Sequence, residues 1–129
     1  MKKYKAKTRP TILAIDFDGT IVSNNFPAIG EPIKDAKEII NTFYEEGYYI
    51  IIWTCRGGEE LVQVRDFLDN MGIKYHKINE NADFDIIGFM PFPKIYCDIC
   101  IDDKNLGGIP SWKEIYTMVT EYRQGMGIW

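Results

Sequence analysis

The chain has 129 residues, 46% of them hydrophobic and 26% charged, with a net charge of −4. These are the proportions of one soluble domain that buries an ordinary core without disulfides. No apolar run approaches the about 18 residues of a membrane span, and the acidic balance weighs against a broad nucleic-acid-binding face.

Lys2, Lys3, Lys5, Lys7 and Arg9 crowd the start of the chain with no apolar stretch among them. That is not a secretory signal, so cytoplasmic residence is the expectation. Residues 1–10 read as a basic, solvated tail. Residues 11–124 read as a single domain and 125–129 as a second tail.

Ile12-Leu13-Ala14-Ile15 opens the domain. The run is short, rich in β-formers and followed by breakers, which predicts a buried strand. It ends in Asp16-Phe17-Asp18-Gly19-Thr20. A loop rich in Asn, Pro and Gly follows, and Pro32 sits well for the first turn of a helix. Ile33, Ala36, Ile40 and Phe43 give that helix an apolar stripe, and Gly47 is its expected stop. Tyr48 to Trp53 is continuously apolar and reads as a fully buried strand. It runs into Thr54-Cys55-Arg56-Gly57-Gly58.

A second helix is expected from about Glu59 to Met71, closed by Gly72. Tyr75 to Ile78 reads as a short strand. The stretch 79–93 is irregular yet apolar, and packing onto the sheet edge is its expected use. Asp98 to Ile101 reads as the last strand, ending in Asp102-Asp103. Ser111 and Glu114 then have capping-box spacing for a final helix with Trp112, Ile115, Tyr116, Val119 and Tyr122 on its packing face. Strands alternating with helices predict a parallel sheet with right-handed crossovers.

The three cysteines, Cys55, Cys97 and Cys100, are odd in number, which argues for reduced thiols. Cys97 and Cys100 have knuckle spacing. In an extended run, however, residues three apart face opposite sides, so both are expected to be small apolar fillers and not a zinc site. The lone histidine, His76, belongs to no motif and is expected to pack at a surface or edge.

Polar groups gather at three predicted strand ends: Asp16 and Asp18, then Thr54, then Asp102 and Asp103. In an open α/β sheet the ligand crevice lies along that edge. Carboxylates held together repel unless a cation or a proton lies between them. A hard divalent ion with oxygen ligands, Mg²⁺, answers that need. The chemistry that uses every one of these groups is phosphoryl transfer through an aspartyl-phosphate. One carboxylate attacks phosphorus, a second moves the proton, and a hydroxyl and a lysine hold the phosphoryl oxygens.

D-x-D-G-T after an apolar strand, Ile-Trp-Thr at a second strand end, a lysine, and Ile-Asp-Asp before a glycine pair resemble the motifs of the haloacid dehalogenase superfamily. The resemblance runs from about Ile12 to Gly108. It implies a three-layer, Rossmann-like α/β fold with helices on both faces, and a Mg²⁺-dependent phosphatase. Carried over residue by residue, Asp16 is the nucleophile and a metal ligand. Asp18 is the general acid/base and gives its backbone carbonyl to the metal. Thr54 binds the transferring phosphoryl group and Lys94 neutralises it; Lys77 is a rival that spacing alone does not separate. Asp103 is favoured as the direct metal ligand, with Asp102 behind it or as an alternate. Gly19, Thr20, Cys55 and Arg56 complete the expected substrate-binding set, Arg56 either on a substrate phosphate or solvated.

In that superfamily, cap domains enter after the first motif or before the lysine. The gaps here, residues 21–33 and 79–93, are too short for a domain. A capless, open site is therefore expected. It suits bulky or macromolecular phosphates, nucleic acid entering only as substrate, or a homo-oligomer whose neighbour covers the cleft. Nucleotides (a 5′-nucleotidase-like activity), sugar phosphates and polynucleotide ends all remain open as substrates. A phospho-acceptor signalling domain uses similar groups, but there the paired acids open the chain, which is not the order found here. A non-catalytic binding module is disfavoured because no motif residue is missing.

Overall fold

The computed structural model describes residues 9–90 and 93–125. Four strands form one parallel sheet: β1 (Ile12–Ile15), β2 (Tyr49–Ile52), β3 (Lys77–Ile78) and β4 (Ile99–Ile101), in the order β3-β2-β1-β4. The helices are α1 (Ala36–Glu45), α2 (Gly58–Met71), the single-turn α3 (Phe84–Ile87) and α4 (Trp112–Gly125). This is the expected Rossmann-like α/β arrangement, and the described residues of both candidate cap positions form connecting segments of the one domain.

The order follows from right-handed crossovers. The first two, through α1 and α2, move the chain one way across the sheet on one face. The third returns past β1 to the far edge and must run over the opposite face. The packing agrees. Leu13, Ile15, Ile50 and Ile52 meet Ile40 and Phe43 of α1, Val64 and Leu68 of α2, and Ile115 of α4 in one cluster. Ile12, Ala14 and Ile51, the alternate strand residues, meet Ala82 and Ile95, with Ile86 and Ile87 of α3 against them. Within the stretch 79–93, Ala82, Ile86 and Ile87 therefore pack on a sheet face and not at its edge, the last two from a single helical turn.

Several boundaries differ from expectation for local reasons. Helix α1 starts at Ala36, not at Pro32. Val22 bridges Pro32, the Ile33 N–H donates to Ile21 O at 2.8 Å, and Asp35 takes a left-handed φ of 68° that no helix continues through. Strand β3 keeps only two residues. Helix α4 carries on through Gly125, while residues 126–129 of the expected tail lie outside the described residues. Its capping box is present: the Ser111 hydroxyl accepts from Glu114 N–H at 3.2 Å, and Ser111 N–H donates to the Glu114 carboxylate at 3.0 Å.

Of the expected basic tail, residues 1–8 lie outside the described residues, but Arg9 is not a solvated end. Its guanidinium grips both oxygens of Asp98, at 2.9 and 3.0 Å. Asp98 also accepts from Ile12 N–H at 2.7 Å, and its own N–H donates to Ile12 O at 2.8 Å. These contacts fix the chain ahead of β4 and hold the strand's start at Ile99. Cys97 therefore lies before the strand, and the two thiols do not face opposite sides: Cys97 Sγ and Cys100 Sγ stand 3.1 Å apart. His76 packs as expected at the sheet's flank, stacked between Tyr44 and Tyr49 at 4.6 and 4.4 Å, with Nδ1 accepting from Ile50 N–H at 3.0 Å.

Candidate active site

Parallel register brings the acids together. Ile15 aligns with Ile52 on one side and Ile101 on the other. The next residues, Asp16, Trp53 and Asp102, thus leave the sheet at the same carboxyl edge. The Asp16 N–H donates to Ile101 O and the Trp53 N–H to Ile15 O, each at 2.9 Å, so the first step beyond the strands is also fixed. Carboxylate oxygens of Asp16, Asp102 and Asp103 then lie within 4.8 Å of one another.

The D-G-T turn holds this cluster in shape. Thr20 is fully buried. Its hydroxyl donates to Asp16 Oδ2 and accepts from Asp103 N–H, both at 3.1 Å, which ties strand ends β1 and β4 together. Trp112 of α4 donates from Nε1 to Thr20 O at 2.9 Å. Thr20, expected at the substrate, is buried here, and its polar groups are engaged in positioning Asp16, Asp103 and Trp112. Gly19 is needed for space: at its φ of +86°, a Cβ would lie 2.2 Å from Asp103 Oδ2. Its N–H is held by Val22 O at 2.7 Å, so it too shapes the site.

Three carboxylates this close cannot all be ionised without a compensating charge. Burial, then the adjoining carboxylate of Asp103 and the charge of Asp102, push the Asp16 carboxyl from 3.8 up to about 7. Asp102 Oδ1 accepts from Lys104 N–H at 2.8 Å. Asp103 Oδ2 accepts from the Asn24 amide at 3.4 Å, and among the described residues Asp103 Oδ1 is buried without a hydrogen-bond partner. An acceptor left in that condition costs about 1–3 kcal/mol. An all-oxygen donor set with a raised carboxyl and an orphaned buried oxygen fits a hard divalent cation; it does not by itself select Mg²⁺.

Asp18 stands apart from that cluster. Arg56 Nε and Nη2 donate to its two oxygens at 2.7 and 2.8 Å. Nη1 and Nη2 also reach Pro27 O and Ala28 O at 2.9 and 2.8 Å. The guanidinium lies 4.9 Å from the ring of Phe26, and the residue is only 4% exposed. Arg56 is thus neither solvated nor free for a substrate phosphate. It is the clamp on Asp18 and on the 27–28 loop.

The Thr54 loop is set by a residue the sequence reading did not single out. Asn79, at φ 54°, accepts from Thr54 N–H through Oδ1 at 2.8 Å. An asparagine just past a strand is a fair signal for such a left-handed, side-chain-bonding position. Thr54 Oγ1 accepts from Arg56 N–H at 3.1 Å, which leaves its own proton to donate. Cys55 is exposed beside it.

The two lysines are not drawn into the cluster. Lys77 is engaged by Asp83 at 3.0 Å and Glu80 at 3.7 Å. Lys94 is exposed and forms no ion pair among the described residues; its charge is felt at Cys97 and Cys100.

Fold and site define an α/β protein with a cation-fitting acidic centre at the carboxyl edge of a parallel sheet. No protein-family model and no curated protein matches the chain. A solved structure, described as that of a conserved protein coded by a locus from Bacteroides thetaiotaomicron, is 36% identical to it. The match covers 88% of this chain and 93% of that one, with a TM-score of 0.79. The chain belongs to the same family as that conserved protein.

Proposed function

We propose that the protein is a Mg²⁺-dependent phosphomonoester hydrolase of the haloacid dehalogenase type. The observation that carries this reading is the convergence of Asp16, Asp102 and Asp103 around one buried, unpartnered oxygen at a strand-end edge. Asp16 and Asp103, with Asp102 beside them and the Asp18 backbone carbonyl, would hold the ion. Bound there, Mg²⁺ would offset the charge of the carboxylates and of a phosphate dianion.

The side chains then divide the work. An Asp16 oxygen attacks phosphorus, and the P–O bond to the ester oxygen breaks. Asp18 gives its proton to the departing alkoxide, then takes one from the water that cleaves the aspartyl-phosphate, releasing inorganic phosphate. The Thr54 hydroxyl donates to a phosphoryl oxygen. The neutralising role of Lys94 rests on the resemblance alone: Lys77 is held by two carboxylates, and the charge of Lys94 is felt at Cys97 and Cys100. The site lies open beside exposed Phe26 and Trp53, an arrangement suited to a bulky phosphoester.

The test is a screen of phosphorylated metabolites, nucleotides and 5′- and 3′-phosphorylated oligonucleotides, with Mg²⁺ and with excess chelator. Release of phosphate that needs Mg²⁺ and is abolished in Asp16→Asn is the expected result. Turnover undiminished in that variant, or in chelator, contradicts the mechanism.

A further inference from the structure

A feature outside the acidic site has a chemistry of its own. Cys97, two residues ahead of the edge strand β4, and Cys100, within that strand, place their sulfurs 3.1 Å apart. We propose that this pair is a redox-active dithiol that closes reversibly to an intrachain disulfide when it meets a low-molecular-weight disulfide such as oxidised glutathione.

Three observations carry this beyond mere proximity. First, a disulfide bond is about 2.05 Å long, so closing it asks the sulfurs to approach by about 1 Å, a side-chain adjustment. Second, the turn between them is held from outside. Asp98, the residue after Cys97, is fixed by both Arg9 nitrogens and by two hydrogen bonds to the Ile12 backbone. The thiols therefore face each other before any reaction, which gives the second sulfur a high effective concentration. Third, a reagent can reach them. Cys100 is exposed and lines an open groove of about 250 Å³ with Ile99, Met118 and Tyr122, whereas Cys97 is half-buried. The alternative use, a metal knuckle, lacks ligands: among the described residues no further Cys, His, Asp or Glu joins the two sulfurs in a cluster.

The reaction balances as thiol–disulfide exchange. Cys100 loses its proton to solvent, and its thiolate attacks one sulfur of the glutathione disulfide. That S–S bond breaks, and one glutathione leaves as thiolate. Cys97 then loses its proton and attacks Cys100 Sγ, expelling the second glutathione. Each glutathione thiolate takes up a proton. The two cysteines lose two electrons in all, and the small disulfide gains them.

The full chain carrying Cys55→Ser, which removes the third thiol, is equilibrated in glutathione buffers of rising oxidised fraction, quenched with an alkylating agent and mapped by mass spectrometry. Cys97 and Cys100 should lose alkylation together, yield one Cys97–Cys100 crosslinked peptide, and recover both thiols with dithiothreitol. With Cys97→Ser added, a glutathione mixed disulfide should accumulate on Cys100. Full alkylation of both cysteines in the most oxidising buffer overturns the proposal. So does a mixed disulfide that persists on Cys100 while Cys97 is present, or crosslinking between chains.

Discussion

Replacing Asp16 by Asn separates the electrostatic account of the site from any assay of activity. In the metal-free protein Asp16 shares a half-buried space with two other carboxylates, and its folded-state pKa rises from 3.8 to about 7. A carboxyl whose pKa is raised on folding stabilises the fold below its unfolded value. That contribution is lost as pH rises through the interval from 3.8 to about 7, because only the unfolded chain releases the proton easily. At about 1.4 kcal/mol for each pH decade, the ceiling is about 4 kcal/mol. Solvent screening of a half-exposed group reduces it to about 1–2 kcal/mol. Asparagine carries no charge and still accepts from the Thr20 hydroxyl. In chelator at pH 8 the variant should therefore be the more stable protein, by about 4–8 °C in melting temperature. At pH 4.5 the two should melt nearly together. Mg²⁺ should raise the melting temperature of the wild type at pH 8 and leave the variant unmoved. Thermal melts by circular dichroism across this pH range, with and without Mg²⁺, make the measurement. A variant less stable than wild type at pH 8 in chelator would refute the reasoning, since carboxylate crowding would then not govern the site.

Three further outcomes follow from the same geometry. Arg56→Ala should destabilise the fold by about 3 kcal/mol, read from urea denaturation, because it strips a nearly buried partner from Asp18 and frees two loop carbonyls. It should also lower any phosphatase turnover by about 100-fold or more through loss of a positioned proton carrier. Gly19→Ala should cost at least about 1 kcal/mol for its positive φ alone, and its Cβ, which meets Asp103, should weaken Mg²⁺ affinity measured by calorimetry. Burial between Tyr44 and Tyr49 lowers the His76 pKa below 6.5. Stability should therefore fall as pH drops below 6.5, where the unfolded chain takes up a proton first. Melts in the Asp16→Asn background, with and without His76→Phe, should show that slope only when the histidine is present.

What could be read from the sequence was whatever is encoded locally. Ile12–Ile15 and Tyr49–Ile52 are buried on both faces, and such strands announce themselves as unbroken apolar runs. Once the sheet is parallel, the ends of those runs must share an edge, so Asp16, Asp102 and Asp103 were foreseeable as neighbours. The partnerships that shape the site are of another kind. Arg56 meets Asp18 across 38 positions, and Asp103 reaches the Thr20 hydroxyl across 83. No periodicity records such pairs. The cysteines show the same limit from the other side. Alternation along a strand predicts opposite faces, but the strand begins one residue after Asp98, whose side chain is claimed by Arg9, 89 positions away. An ion pair with so distant a residue leaves no trace in the local pattern.

The two aspartates of the D-x-D motif end in opposite electrostatic surroundings although one residue separates them. Asp16 faces other acids and gains a proton in their company; Asp18 faces a guanidinium on both oxygens. Pairs of titratable groups set apart in this way are where acid–base roles divide. An Asp18 oxygen that takes up a proton keeps a lone pair for an Arg56 N–H, but it loses the negative charge that makes that bond strong. In the proposed mechanism, protonation of Asp18 therefore goes with a weakening of its bonds to Arg56. Arg56 itself stays anchored by Pro27 O and Ala28 O when that happens. On that proposal the clamp can loosen on Asp18 without letting the loop go, and can grip the carboxylate again once its proton has left.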